Sequence, residues 1–198
     1  MKMKMKFSFL VAVLMVFSAT GWAANIAPDA TITTTSGEYV WSGHTEYFHV
    51  EFVADGDTAF NGLAAWCSER GASSTSTFEV TLEWDSAVTI DQIKLYNAGA
   101  DGSSSNTSDF RYQVSSDGSV WTDVANSAVT GNTSQVCTFD LATAITTEYL
   151  RLYITEPVST DIREHARVAE IEVYEVPEPA TLGLLSLGGI AGLIRRRK

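Results

Sequence analysis

Between Asn25 and Val176 the sequence sustains no helical stripe; apolar and polar residues alternate instead. Thr77–Trp84 places Phe78, Val80, Leu82 and Trp84 on one face and Glu79, Thr81 and Glu83 on the other. That period of two is the signature of a strand buried on one side. Val88–Tyr96 continues in the same manner after Asp85-Ser86, which reads as a turn. Further strands are expected at 109–115, 120–124, 135–141, 148–155 and 167–175. In the last, Val168, Ile171 and Val173 mark inward positions, with an irregularity at Ala169-Glu170. Ser116-Asp-Gly-Ser119 is a hairpin signal, and 98–108 is a long Gly/Ser/Asn loop. A span of about 150 residues is an ordinary single-domain size. Many short strands joined by polar loops predict an all-β fold of two packed layers, a sandwich or jelly roll.

Composition narrows the function classes. Hydrophobic residues make up 45% of the 198 and charged residues 19%, enough apolar mass for a core and too few charges for a disordered acidic chain or a coiled coil. Lys+Arg number 13 against 24 Asp+Glu, and seven of the basic residues sit at the extreme ends. The interior keeps six basic residues against 23 acidic ones, a net charge of −17. Such a surface repels phosphate, which excludes a nucleic-acid binder and disfavours sulfated glycans and phospholipid headgroups.

Both ends read as addresses. Lys2, Lys4 and Lys6 precede an apolar run from Phe7 to Phe17, then small residues through Ala23. This describes a secretory signal peptide, residues 1–23, with an uncleaved anchor as the alternative. At the other end, residues 176–198 hold Pro177-Glu-Pro179, an apolar stretch from Ala180 to Ile194, and Arg195-Arg-Arg-Lys198. As a transmembrane helix this stretch would span only about 22 Å, short of a hydrocarbon core of about 30 Å unless arginines snorkel. Its basic end would remain cytoplasmic. The order of Pro177, Glu178, Pro179, short apolar helix and terminal arginines resembles the PEP-CTERM sorting signal. The resemblance implies recognition by an exosortase-type processing enzyme and transient anchoring in the inner membrane. Delivery to the envelope, outer surface or extracellular matrix of a Gram-negative-type bacterium would follow. A permanent tail anchor is the alternative.

The interior, residues 24–175, carries a second likeness. Asn25-Ile-Ala27, Ala54-Asp-Gly-Asp57, Trp66-Cys-Ser68, Val88–Tyr96, Asp109–Thr122 and Ala169-Glu-Ile-Glu-Val-Tyr174 follow one another in an order that resembles the coagulation factor 5/8 type C (discoidin) domain, including carbohydrate-binding module family 32. This implies an eight-stranded, galactose-binding-like jelly roll. It also implies a structural role for Arg151; the tight turn at Asp117-Gly118 is expected to let the Trp121 ring cap an end of the sandwich. By the same likeness Asp55, Asp57 and Glu170 are candidate ligands of a structural Ca2+, helped by a carbonyl of Phe52 or Ala169. Hard cations take several such oxygens. Ala64 stands where the family usually has Thr or Ser, so one oxygen ligand is either missing or supplied by Asn61; the alternative is that these acids are simply solvated.

Family members hold glycans in loops at one end of the sandwich, with an aromatic platform ringed by polar groups. The loop Tyr39–His49 offers Trp41, His44, Tyr47 and His49; Arg163 and His165 follow late in the chain, and the 98–108 loop adds Asn106. The competing reading packs these aromatics as core. No zinc spacing on a helix and no nucleophile elbow is visible, so no enzyme is expected. Cys67 and Cys137, the only cysteines, suit one disulfide in an exported protein, or two buried thiols. The expectation is an exported, non-catalytic module binding a glycan or exopolysaccharide. The alternative is a structural matrix or envelope protein on the same fold without sugar binding.

Overall fold

The computed structural model describes residues 23–44, 46–58, 64–69, 76–98, 106–157 and 165–176. The expected signal peptide, the sorting segment beyond Val176, Asn61 and Arg163 lie outside these residues. Ala23–Val176 forms one compact unit. No helix among the described residues is long and apolar enough to cross a membrane. The strands are β1 (Thr31–Thr33), β2 (Trp66–Cys67), β3 (Phe78–Tyr96), β4 (Asp109–Ser115), β5 (Thr122–Asp123), β6 (Val136–Glu156), β7 (Arg167–Val168) and β8 (Glu170–Glu175). Two short 3-10 helices, Ala27–Asp29 and Val50–Ala54, complete the described secondary structure.

Two strands are far longer than the alternation suggests. Asp85-Ser86 does not turn the chain back: β3 runs through it for 19 residues and pairs antiparallel with the 21-residue β6. Register is kept from Phe78↔Ile154 to Glu83↔Tyr149 and resumes at Val88↔Thr147, so four residues of β3 face one of β6. Between Ile90↔Ile145 and Gln92↔Asp140 the excess is on β6. Bulges of this kind bend a ladder sharply. Each half of β3 then takes its own neighbour, β1 beside Thr81–Glu83 and β8 beside Ile90–Tyr96. β4 and β5 extend the first half through β6.

One bent ribbon thereby supplies both layers of the sandwich. A straight strand of this length would reach about 60 Å at 3.3 Å per residue, yet a chain of short contacts stitches its two ends together. Glu79 N–H donates to Ser36 Oγ (3.0 Å), Glu69 N–H to the Ser36 carbonyl (3.1 Å) and Ser68 N–H to the Ala166 carbonyl (2.9 Å). Thr107 Oγ1 then donates to the Arg167 carbonyl (2.9 Å) and Thr107 N–H to Asn97 Oδ1 (3.0 Å), just past the end of β3. Loops collect at this pole. The bend lies at the other, beside the two ends of the Ala23–Val176 unit: Glu175 N–H donates to the Ala24 carbonyl and Val176 N–H to the Thr89 carbonyl.

The inward side chains form one core, with Val80, Leu82, Ile90, Ile93, Leu95, Leu150, Leu152, Ile154, Ile171 and Val173 fully buried. The inward positions change from even to odd numbers between Ile90 and Ile93, because Asp91 is the residue skipped in both ladders. On the opposite face Arg151 joins three strands. Its Nη1 donates to Glu79 Oε2 (2.8 Å), its Nε and Nη2 to Gln113 Oε1, and its guanidinium lies 4.0 Å from the Trp121 ring centre. Arg151 is thus a structural clamp. Trp121 rests on it and on the edge of Tyr149, which places it on the outer face of the sheet and not over the end of the sandwich.

Two more expectations are corrected. The 120–124 strand shrinks to Thr122–Asp123, because Asp117 Oδ1 accepts the Ser119 and Val120 amides and holds that segment in the turn. Cys67 and Cys137 are not bridged to each other. Cys67 lies in the small β2–β7 pair opposite Arg167, and Cys137 in β6 opposite Leu95. The Cys67 sulfur faces the Ser68 carbonyl and the Cys137 sulfur faces Asn132 Oδ1.

Candidate functional site

The loop between β1 and the second 3-10 helix is shaped by its glycines. Gly37, at φ +66°, leaves its carbonyl to the Trp66 indole N–H (3.1 Å), and a Cβ there would meet the Glu69 side chain at 2.7 Å. Trp41-Ser-Gly-His44 closes a tight hairpin in which His44 N–H donates to the Trp41 carbonyl (2.8 Å). Ser42 and Gly43 both have positive φ, as a two-residue hairpin turn with the sheet's own twist requires. The turn brings the Trp41 and His44 rings to 5.6 Å, and Tyr47 packs 5.3 Å from His44 and 6.5 Å from Trp41.

Trp41 is 46% exposed and its neighbour Val40 61%, high for large apolar side chains. Behind the trio, Phe48 contacts Tyr47 and Tyr39 at 6.2 and 5.8 Å, and Tyr39 stands edge-on to His165 at 4.8 Å. Phe48 has φ +68°, a strained conformation for an aromatic residue. Strain of this kind collects where surrounding contacts fix the backbone for a purpose. His44 Nδ1 bonds Glu46 Oε1 at 2.7 Å, and that hydrogen bond draws the Glu46 carboxyl below its ordinary pKa. An exposed aromatic surface with a fixed imidazole at its rim is what stacking on a sugar ring requires.

The other sequence candidates separate. His165 is buried, with Nδ1 2.8 Å from the Ser68 carbonyl, and supports Tyr39 from below. Asn106 is buried too and donates to the Thr133 carbonyl (3.2 Å). Neither stands at the surface as expected of a ligand-reading group. His49 is half-buried and faces Glu38 Oε2 at 3.0 Å, while Glu38 Oε1 accepts the Val50 amide (2.7 Å). No spacing in the sequence marks Glu38, one residue before the aromatic segment.

A second cluster follows the Val50–Ala54 helix. Asp57 N–H donates to Asp55 Oδ1 (2.8 Å), and Gly56, at φ +84°, turns its N–H toward Glu170 Oε1 (3.2 Å). Glu170, where β8 opens, is 0% exposed, and its Oε2 has no hydrogen-bond donor among the described residues. Burial pushes its carboxyl up to about 8; the charges of Asp55 and Glu172 add to the rise and the Gly56 amide opposes it. A buried carboxylate oxygen without a donor, beside a turn carrying two further carboxylates, is a donor set of the chemistry that hard cations take.

The comparisons fall on this architecture. The model of the F5/8 type C domain matches residues 31–171, and that of the PEP-CTERM protein-sorting motif matches residues 175–198. Similar solved structures include the family 32 carbohydrate-binding module of Streptococcus pneumoniae EndoD. It shares 20% identity and a TM-score of 0.61 over 77% of this chain and all of that one. The Clostridium perfringens module CpGH89CBM32-5, in complex with GalNAc-β-1,3-galactose, shares 18% identity and a TM-score of 0.57 over 76% and 99% of the two chains. Chitosan-binding module 1 of the chitosanase/glucanase from Paenibacillus sp. IK-5 shares 23% identity and a TM-score of 0.58 over 76% and 98%. No curated protein matches the chain. The bent two-layer sandwich is the fold of these carbohydrate-binding modules, and the terminal motif implies export and sorting to the cell envelope. The chain belongs to the F5/8 type C domain family.

Proposed function

We propose that this chain is an exported, non-catalytic glycan-binding module of the bacterial envelope or extracellular matrix. A sugar ring stacks on Trp41 and Tyr47, with His44 at the rim to read a hydroxyl. The observation that carries this reading is the surface of exposed Trp41 and His44 with half-buried Tyr47, at the loop pole of a fold shared with modules that hold galactose-containing and chitosan ligands. The interior charge of −17 favours neutral or amino sugars over sulfated ones. Asp55, Asp57 and Glu170 would hold a structural Ca2+ that ties the loop after the 3-10 helix to β8. In this reading Pro177-Glu178-Pro179 serves an exosortase-type enzyme after a transient stage in the inner membrane of a Gram-negative-type cell, and an exopolysaccharide of the producer is a natural partner.

A glycan array probed with the purified protein tests the reading, with Trp41→Ala as control. Loss of one stacked ring should weaken binding by about 1–3 kcal/mol, roughly 5- to 150-fold, while leaving the melting temperature unchanged, since Trp41 is outside the core. Silence on every neutral and amino-sugar polymer, the producer's own polysaccharide included, would count against it. So would full binding by Trp41→Ala.

A further inference from the structure

We propose that Glu38, His49 and Glu51 form a binding site for a zinc-class divalent cation, separate from the Asp55–Asp57–Glu170 cluster. One ligand atom from each of the three residues lies within 4.8 Å of the others. His49 Nδ1 and Glu38 Oε2 already face each other as a hydrogen-bonded pair at 3.0 Å, so an ion replaces the proton between them as the two atoms part to about 3.4 Å, the spacing of tetrahedral ligands held at about 2.1 Å. Glu38 is pre-oriented, because its other oxygen accepts the Val50 amide. Glu51 is exposed and sits on the same 3-10 helix that His49 precedes, so its carboxylate closes on the ion with no movement of the core.

The donor set decides the metal. Two carboxylates and an imidazole suit Zn2+ or a neighbouring transition ion, whereas Ca2+ takes six to eight oxygens and gains little from a ring nitrogen. The position decides the consequence. Glu38 and His49 are the residues immediately before and after the segment 39–48, which carries the aromatic trio. An ion between them closes the neck of that loop and removes freedom that the sugar would otherwise have to freeze on binding. The site itself stands on its own donor atoms, whether or not the aromatic surface binds a glycan.

Titration calorimetry of the full chain, held in mild detergent and stripped by chelator, tests the site with ZnCl2. One zinc per chain is expected, undiminished by equimolar CaCl2. His49→Ala and Glu51→Gln should each weaken it about tenfold or more, the least that losing even a supporting group costs a metal site, whereas Glu170→Gln should leave it unchanged. Glu51→Gln alters only an exposed charge, so it remains decisive should His49→Ala fold poorly. In parallel, zinc should raise the unfolding temperature of the parent protein and not of Glu51→Gln. No zinc heat at millimolar metal, binding that survives both substitutions, or binding lost in Glu170→Gln alone overturns the proposal.

Discussion

Glu170 is a buried carboxyl under electrostatic stress, and that stress has a sign. Folded and free of metal, its carboxyl is pushed by burial up to about 8, against an ordinary value of 4.5. Between those pH values the folded state holds a proton that the unfolded chain has released. Stability is therefore full below about 4.5 and falls as pH rises through about 8. Urea denaturation of chelated protein should show this decline, and Ca2+ should reverse it at pH 8 if the proposed site is real. Glu170→Gln should flatten the slope and stabilise the ion-free protein at pH 8 by about 1–3 kcal/mol. Arg151 makes the opposite case, a charge with all its partners. Arg151→Ala strands Glu79 and Gln113 and should cost about 2–4 kcal/mol in urea denaturation; Arg151→Lys should restore little, since an ammonium cannot fork between two strands. The clamp at Arg151 was legible from the family likeness, which implied a structural arginine in that strand. The fates of His165 and Asn106 were not. Each is buried by a segment remote in sequence, the Ser68 carbonyl for one and the Thr133 carbonyl for the other, and no local pattern reports that.

Among the elements, alternation located the strands from β3 onward but missed the short β1 and β2, and it could not say where a strand ended. Asp85-Ser86 carries turn residues and β3 passes through them, because β6, some 60 residues later in sequence, takes up the pairing at Val88↔Thr147. A bulge of four residues against one looks, from one strand alone, like a turn. Ser116-Asp-Gly-Ser119 was legible as a hairpin because its chemistry is local: Asp117 accepts the Ser119 and Val120 amides, which with the Ser115 hydroxyl holds its carboxyl down at about 2. Gly118 adopts φ +69° there, and a Cβ would lie 3.3 Å from the Tyr149 ring. Gly118→Ala should therefore cost about 1–2 kcal/mol, from an unfavourable φ and a displaced ring, read as a lower urea midpoint with an unchanged slope.

At the scale of the whole molecule, one side chain near the start of the described chain fastens it to the last strand. Asn25 Oδ1 accepts the Val173 amide (2.9 Å) and the Ala27 amide (3.1 Å), and Ile26 exchanges a further backbone bond with Val173. Asn25→Ala leaves those two amides without an acceptor and should destabilise the fold by about 1–3 kcal/mol, with hydrogen exchange at Val173 accelerating accordingly. Trp84, whose indole donates to the Ile26 carbonyl, anchors the same corner. None of this was visible as an interaction in sequence, although Asn25-Ile-Ala27 was one of the motifs behind the family likeness. With Ala24 and Glu175 bonded to each other, a linker of a few residues could join them, and the backbone could be reopened at a loop far from that junction. A circular permutant cut between β3 and β4, at the opposite pole, should refold around the same core, and fusions of several copies end to end should leave every aromatic loop unobstructed.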